Sequence, residues 1–163
     1  MKKSKLFIIA MAVAFFTSCA TSYTPTENDL PIETLTDLQT AFPKAAYVEP
    51  TLNSTYIVKN AAGKPIGFVL LSSPYSDNIM GFNGPTPLQI ALDKDGLIIE
   101  VKLLENRETP SFLNRVIEAG FLDSWNGLNV YEALEKEVDA VSGATYSSKG
   151  IQKSLKARLE AIE

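Results

Sequence analysis

Apolar residues in the middle of the chain recur in short runs, which predict β-strands at 46–48, 54–59, 66–72, 88–92 and 97–104. In the second run Tyr56 and Val58 alternate with polar neighbours, as they do in a strand with one buried face. Turn-forming residues at 60–64 and 93–96 separate neighbouring runs. Because short turns join antiparallel strands, this order favours a sheet of hairpins over βαβ units.

Three segments have apolar residues at helical spacing. The first is 33–42, where Leu35, Leu38 and Phe42 share a face and Pro43 ends the helix. The second is 111–119, closed by Gly120. The third is 147–162, with one apolar stripe and a basic remainder. The stripe consists of Ile151, Leu155, Leu159 and Ile162, and the basic residues off it are Lys149, Lys153, Lys156 and Arg158.

Strands and helices together predict an α+β fold: a single domain with a twisted antiparallel sheet of hairpins and flanking helices. The length of 163 residues suits one domain. Trp125, the only tryptophan, is expected in the core or in a lid.

The composition excludes several kinds of chemistry. The chain has 0 histidines, 1 cysteine and a formal net charge of -4. Cysteine-ligated iron–sulfur clusters, histidine-based zinc sites and a Ser-His-Asp triad are therefore excluded, and the absence of a basic run argues against nucleic-acid binding. Any redox activity would need an organic cofactor.

The N-terminus has the features of an export signal. Lys2, Lys3 and Lys5 precede an uncharged apolar run at 6–16, which is shorter than a membrane span. Small residues then lead to Cys19, as in a bacterial lipobox. We predict a signal peptide at 1–18, a lipidated Cys19 that anchors the chain in the cell envelope outside the cytoplasm, a flexible tether at 19–31 and the folded domain at 32–163. A plain signal peptide or an uncleaved anchor is the alternative.

The stretch 139–148 concentrates small and hydroxyl-bearing residues just before the last predicted helix. Its centre is Ser142-Gly143-Ala144-Thr145, with Asp139 at its start. Small residues allow backbone N–H groups to approach a ligand closely, and a helix N-terminus attracts anions, so this pattern predicts a phosphate-binding loop. An ordinary loop with Ser142 as the N-cap is the alternative.

Two further loops have distinctive residues. The loop between the predicted strands at 66–72 and 88–92 contains Gly81, Phe82, Gly84 and Pro85. The segment after the last strand contains Glu108, Thr109 and Pro110. Taken alone, the first of these is an ordinary Gly/Pro loop.

The three patches in this order resemble the FMN-binding domain family, which includes the C subunit of the sodium-translocating NADH:quinone reductase and the G subunit of the Rnf complex. In that family an Asp-x-x-Ser-Gly-Ala-Thr motif receives FMN through its phosphate on the final threonine, from a dedicated FMN transferase. The resemblance makes Thr145 the attachment residue, and it gives Asp139 a part in recognition of the transferase and its metal. An Asx-type cap is the alternative role for Asp139.

The resemblance also assigns the other two loops to the cofactor. It covers about 47–162, and it implies that 81–85 and 108–110 border the flavin ring. The sequence departs from the family's Glu-Thr-Pro-Gly-Leu-Gly pattern, because Ser111 and Phe112 replace the glycine and the leucine. The departure leaves the backbone after Pro110 unassigned, since glycine adopts conformations that serine avoids.

The implied function is electron carriage outside the cytoplasm by covalent FMN, as a carrier or a subunit of a redox complex with an unknown donor and acceptor. Two alternatives stay open. One is a flavin-dependent reductase with its own small substrate, and the other is a lipoprotein that binds partners without a cofactor.

Overall fold

The computed structural model describes residues 23–27, 29–31, 35 and 37–162. The predicted signal peptide, Cys19 and residues 20–22 lie outside this range and stay predictions. In the part of the chain described, every helix is too short or too polar to cross a bilayer.

Within the described residues, six strands form one antiparallel sheet in the order of the sequence. They are β1 (Leu30–Pro31), β2 (Ala45–Pro50), β3 (Thr55–Asn60), β4 (Pro65–Leu71), β5 (Leu88–Asp93) and β6 (Ile98–Leu103). The predicted strands are confirmed to within two residues at each end. The Asp93 carboxylate fixes the last hairpin, because it accepts hydrogen bonds from the backbone of Asp95 at 2.8 Å and of Leu97 at 2.9 Å. The predicted α+β fold is correct.

The described helices follow the sheet. They are α1 (Pro110–Glu118), a 3-10 helix (Phe121–Trp125), α2 (Val130–Glu135) and α3 (Thr145–Glu160). The hydrophobic pattern does not predict the 3-10 helix or α2. A signal for α2 was nevertheless present, since Asn129 and Glu132 form a reciprocal capping box.

Each face of the sheet has its own core. On one face Leu70, Ile90 and Leu92 pack with the stripe of α3 and with Trp125, which is fully buried as a core residue. On the other face Val69 and Ala91 pack against the segment that precedes β2. Residues 88–92 of β5 are buried throughout, because this strand is covered on both sides.

The segment before β2 corrects one prediction. We predicted a helix at 33–42, but the described residues 37–41 form turns, and Asp37 has a left-handed φ of 47°. Lys102 donates hydrogen bonds to the carbonyl oxygen of Asp37 at 2.9 Å and to its carboxylate at 2.7 Å. Leu35, Leu38 and Phe42 are buried as their spacing indicated. Apolar spacing thus identified the buried residues, but these tertiary contacts hold the backbone out of a helix.

The described residues of the predicted tether lie against the sheet. Leu30 and Pro31 pair with β2, and Asp29 accepts hydrogen bonds from Tyr23 and from Lys59, the latter at 2.8 Å. We call Tyr23, Thr26, Asp29 and Lys59 the N-terminal clasp. Residues 30 and 31, which the sequence assigns to the tether, thus pair with the sheet. The Thr/Ser/Pro-rich composition of the predicted tether does not reveal the N-terminal clasp, because the pairing of Asp29 with Lys59 joins residues 30 positions apart.

A buried arginine fixes α3 across the sheet. The sequence predicts Arg158 off the apolar stripe, together with Lys149, Lys153 and Lys156, but it is fully buried. It donates hydrogen bonds to the carbonyl oxygens of Leu71 and Asn53, each at 2.8 Å, and to the Thr55 hydroxyl at 2.7 Å. The far end of α3 is therefore fastened to the sheet, which also fixes the direction of its first turn.

Candidate functional site

The three patches of the sequence come together at one end of the sheet. Leu88 at the start of β5 pairs with Leu103 at the end of β6, so the loop before β5 and the loop after β6 lie at the same edge. The first turn of α3 packs against both loops. We define the loop junction as the 81–86 loop, the 106–112 segment and the start of α3.

The carboxylate of Glu108 links all three parts of the loop junction. Glu108 is 5% exposed. One of its oxygens accepts hydrogen bonds from the backbone N–H groups of Asn83 at 2.6 Å and Gly84 at 3.1 Å. The other accepts a hydrogen bond from the hydroxyl of Ser147 on α3. Both oxygens are thus occupied, and Glu108 acts as a structural link between the motifs.

Two glycines allow this close packing. A Cβ atom at Gly150 of α3 would lie 2.7 Å from the Cα atom of Gly81, and a Cβ at Gly81 would lie 2.7 Å from Oε1 of Glu108. The hydroxyl groups of Thr86 and Ser154 continue the contact at 3.3 Å. Residues larger than glycine at 81 or 150 would separate the helix from the loop.

The predicted phosphate loop ends in an exposed threonine. Gly143 has a φ of 76°, which favours glycine, and Ala144 is the N-cap of α3 without a side-chain hydrogen bond. Thr145 follows as the first helical residue with an exposed side chain. The alternative in which Ser142 caps the helix is wrong. The first-turn N–H groups of α3 therefore have no capping side chain, which favours an anion there.

Ser148 stabilises the turn instead of Ser142. Its hydroxyl accepts a hydrogen bond from the N–H of Val141 at 3.1 Å and donates one to the carbonyl oxygen of Ala144 at 2.9 Å. The side chain of Ser142 is exposed. The turn before Thr145 thus keeps its shape without using either the Ser142 or the Thr145 hydroxyl.

An aromatic pocket of about 170 Å³ adjoins Thr145. Its walls are Phe82 of the 81–86 loop, Phe112 of α1, and residues 143–147. The Phe82 and Phe112 rings meet edge to face with centroids 4.9 Å apart, and the Tyr146 ring lies 6.4 Å from that of Phe82. Phe82 is 56% and Tyr146 69% exposed, which is typical of a surface that a ligand or partner covers.

Sequence reasoning missed two of these pocket residues, Phe112 and Tyr146. Phe112 was noted only as a departure from the family pattern. In the structure Pro110 is the first residue of α1 and Thr109 its N-cap, so Ser111 and Phe112 are helical and need no glycine conformation. The substituted phenylalanine instead supplies one wall of the pocket.

Asp139 lies apart from the aromatic pocket. It is exposed and lines a groove of about 470 Å³ with Glu137 and three lysines of α3, which are Lys149, Lys153 and Lys156. Lys156 holds the pKa of the neighbouring Glu137 carboxyl below its ordinary value, because it hydrogen-bonds the charged form. The structure thus brings Gly81, Phe82, Gly84, Glu108, Gly143 and Thr145 together and places Asp139 on a neighbouring surface.

The residues at this site fit FMN in their chemistry. An exposed hydroxyl for a phosphoester stands at an uncapped helix start, and aromatic rings that can pack on a flavin lie beside it. The FMN-binding domain family matches the chain over residues 81–160, a range that holds all three motifs. The predicted resemblance to this family is therefore confirmed.

Known proteins that are similar to the chain include a subunit of a bacterial complex and a protein of known crystal structure. The chain is 25% identical over 144 residues to the G subunit of the ion-translocating oxidoreductase complex of Stutzerimonas stutzeri, covering 76% of this chain and 62% of that protein. It thus spans less than two thirds of the length of this curated relative. The crystal structure of NqrC from Shewanella oneidensis is 20% identical, with 91% of this chain and 70% of that chain covered and a TM-score of 0.43.

Proposed function

We propose that this chain is an exported, membrane-anchored flavoprotein that carries FMN covalently on Thr145 and transfers electrons outside the cytoplasm. One observation carries the proposal: the exposed Thr145 hydroxyl stands at the uncapped start of α3, beside the aromatic pocket. When bound, the flavin accepts electrons and passes them on. The name of the Stutzerimonas stutzeri relative supports a role beside redox partners.

The attachment is a phosphoester bond from Thr145 Oγ1 to the phosphorus of FMN. The hydroxyl loses its proton as this bond forms, and the phosphorus–oxygen bond to the leaving group of the flavin donor breaks, so no electrons are gained or lost. Among the described residues the Thr145 hydroxyl makes no hydrogen bond that would compete with the reaction. Asp139, which is exposed at the start of the motif, would contact the transferase that catalyses it.

The size of the aromatic pocket favours electron carriage over a reductase with its own substrate. Pockets that bury most of a drug-sized ligand measure about 300–1,000 Å³. This pocket, at about 170 Å³, would hold only part of the cofactor and would leave part of the ring in solvent. A solvent-facing ring edge suits transfer to another protein. Phe82, Phe112 and Tyr146 would contact the ring, while Thr109 and Pro110 set the direction of α1, which carries Phe112.

The test is flavin fluorescence in a denaturing gel after cell fractionation, in cells that express an FMN transferase. The wild-type chain should give a fluorescent band in the membrane fraction. Thr145→Ala should remove the fluorescence and leave the amount of protein unchanged, because an exposed side chain contributes within about 0.5 kcal/mol to stability. Cys19→Ala should move the band to the soluble fraction or stop maturation.

The outcomes separate the parts of the proposal. A fluorescent Thr145→Ala band would place the attachment elsewhere. A wild-type protein that carries flavin only before denaturation would favour the reductase, and a wild-type protein without flavin would favour a cofactor-free lipoprotein. A mature protein that begins after Cys19 would exclude the lipid anchor.

A further inference from the structure

The side chain of Arg115 on α1 lies directly over the turn that precedes Thr145. A Cβ atom at Gly143 would lie 3.4 Å from the terminal Nη1 atom of Arg115 and 3.6 Å from its guanidinium carbon. Gly143 and Thr145 are two residues apart, so their Cα atoms are separated by at most about 7 Å. The guanidinium group therefore lies against the turn that leads into the proposed attachment residue.

The positive charge of Arg115 is also free to interact with an anionic ligand. Its side chain is exposed, and among the residues that the structure describes it forms neither an ion pair nor a hydrogen bond. The uncapped N–H groups of α3 face the same turn. Two independent sources of positive potential, a guanidinium and a helix N-terminus, thus converge at Thr145, as an anionic ligand requires.

We propose that Arg115 is a positioning residue that holds the phosphate group of the flavin at Thr145. This inference rests on the proposed attachment of FMN to Thr145. A phosphodiester keeps one negative charge, and the planar guanidinium presents two N–H groups that match phosphate oxygens. Arg115 would orient the donor phosphate toward the Thr145 hydroxyl during attachment, and it would neutralise the phosphodiester afterwards.

A purely structural role for Arg115 predicts different results. Arg115 lies in the last turn of α1, where a cation stabilises the helix dipole. Loss of that interaction would lower stability slightly, but it would not change the environment of a phosphorus atom. The decisive measurement is therefore made on the phosphate itself.

The experiment compares the mature chain with Arg115→Gln, Arg115→Lys and the distant control Lys94→Gln, which removes the same charge from an exposed, paired lysine. Each protein is purified without flavin and incubated with an FMN transferase and its flavin donor. The initial rate of covalent loading is followed by intact mass, and the fully loaded proteins are then compared by ³¹P NMR.

Arg115→Gln should slow loading by about threefold, the size of effect that an exposed ion pair gives. It should also shift the ³¹P resonance. Arg115→Lys should restore only part of the rate, because lysine keeps the charge but not the planar pair of N–H groups. Lys94→Gln should change neither property. Slow loading with an unmoved resonance would overturn the inference and assign Arg115 to recognition by the transferase. Unchanged loading and resonance would overturn it as well. A wild-type protein that takes up no covalent flavin would overturn the proposed function along with it.

Discussion

Two carboxylates, Asp29 in the N-terminal clasp and Glu108 in the loop junction, stabilise two separate parts of the fold by different kinds of contact. Asp29 in the N-terminal clasp pairs with the ammonium group of Lys59 at 2.8 Å, and its side chain is fully buried. Glu108 in the loop junction is also buried, but it accepts hydrogen bonds from two backbone N–H groups and a serine hydroxyl. The clasp thus depends on charge, whereas the junction depends on uncharged donors.

The difference follows from what each carboxylate joins. Asp29 fastens one terminal segment to the sheet through the charged Lys59, which also pairs with Glu49 at 2.6 Å. Glu108 joins residues 25 and 39 positions away in the chain, and its backbone partners can donate only from one conformation of the 81–86 loop. The loop junction is therefore expected to be the more sensitive of the two to substitution, and the pocket beside Thr145 should respond with it.

Removal of the Glu108 carboxylate is the strongest test of this comparison. We expect Glu108→Ala to lower the free energy of unfolding by about 2–3 kcal/mol, because the N–H groups of Asn83 and Gly84 and the Ser147 hydroxyl lose the acceptor that they have among the described residues. Glu108→Gln should cost less, since its carbonyl oxygen can still accept from the two backbone N–H groups and the Ser147 hydroxyl can accept from its amide N–H₂ group. Urea denaturation measures both effects.

The matched control is Glu105→Ala, which removes an exposed acid just before the same segment. Its effect should stay within about 0.5 kcal/mol. Equal stabilities of the Glu108→Ala and Glu105→Ala variants would show that the junction does not depend on the Glu108 carboxylate.

The contact between Gly150 and Gly81 gives a second, smaller test. Alanine is a better helix former than glycine by about 1 kcal/mol, so Gly150→Ala would normally stabilise α3. Here the added Cβ would lie 2.7 Å from the Cα of Gly81, and such overpacking costs about 1–3 kcal/mol. We expect a net loss of about 1 kcal/mol in urea denaturation, together with weaker flavin loading. The neighbouring exposed Lys149→Ala serves as the control, and a stabilised Gly150→Ala variant would refute the close contact.

Local patterns were sufficient to predict the sheet and α3. The alternation in β3 and the Asp93–Gly96 turn each depend on neighbouring residues, and the stripe of Ile151, Leu155 and Leu159 spans one helix. The prediction at 33–42 failed because Asp37 is held by Lys102, a residue 65 positions away. A periodic pattern contains no information about such a distant partner.

The candidate site, too, was predictable from the sequence only in part. The motifs around Gly81, Glu108 and Thr145 were recognisable in the sequence, but the role of Glu108 as their link was not. It depends on the packing of α3 against the 81–86 loop, which only the three-dimensional structure contains. Tyr146 was missed although it directly follows Thr145, since its place beside Phe82 depends on the same packing.

The clasp offers the last and smallest test, because its ion pair should make it sensitive to acid. Lys59 and Tyr23 hydrogen-bond the charged form of Asp29 and hold the pKa of its carboxyl well below the ordinary value. At low pH the unfolded chain therefore binds a proton that the folded chain does not. The contribution of Asp29 to stability is fully present well above about pH 4, the ordinary range of an aspartate, and it is lost as the pH falls toward the folded pKa.

Asp29→Asn should lower the free energy of unfolding by less than about 1 kcal/mol at pH 7, since Lys59 keeps its ion pair with Glu49 and asparagine keeps an acceptor for Thr26. Between pH 5 and pH 3 the wild type should lose more stability than the variant, because other carboxyl groups titrate equally in both proteins. Urea denaturation at pH 7, 5, 4 and 3 measures the two curves. Parallel curves would mean that Asp29 does not carry the pH dependence. Flavin loading at Thr145 should be the same in both proteins, because the clasp contacts β1 to β3 and the site lies at the start of α3.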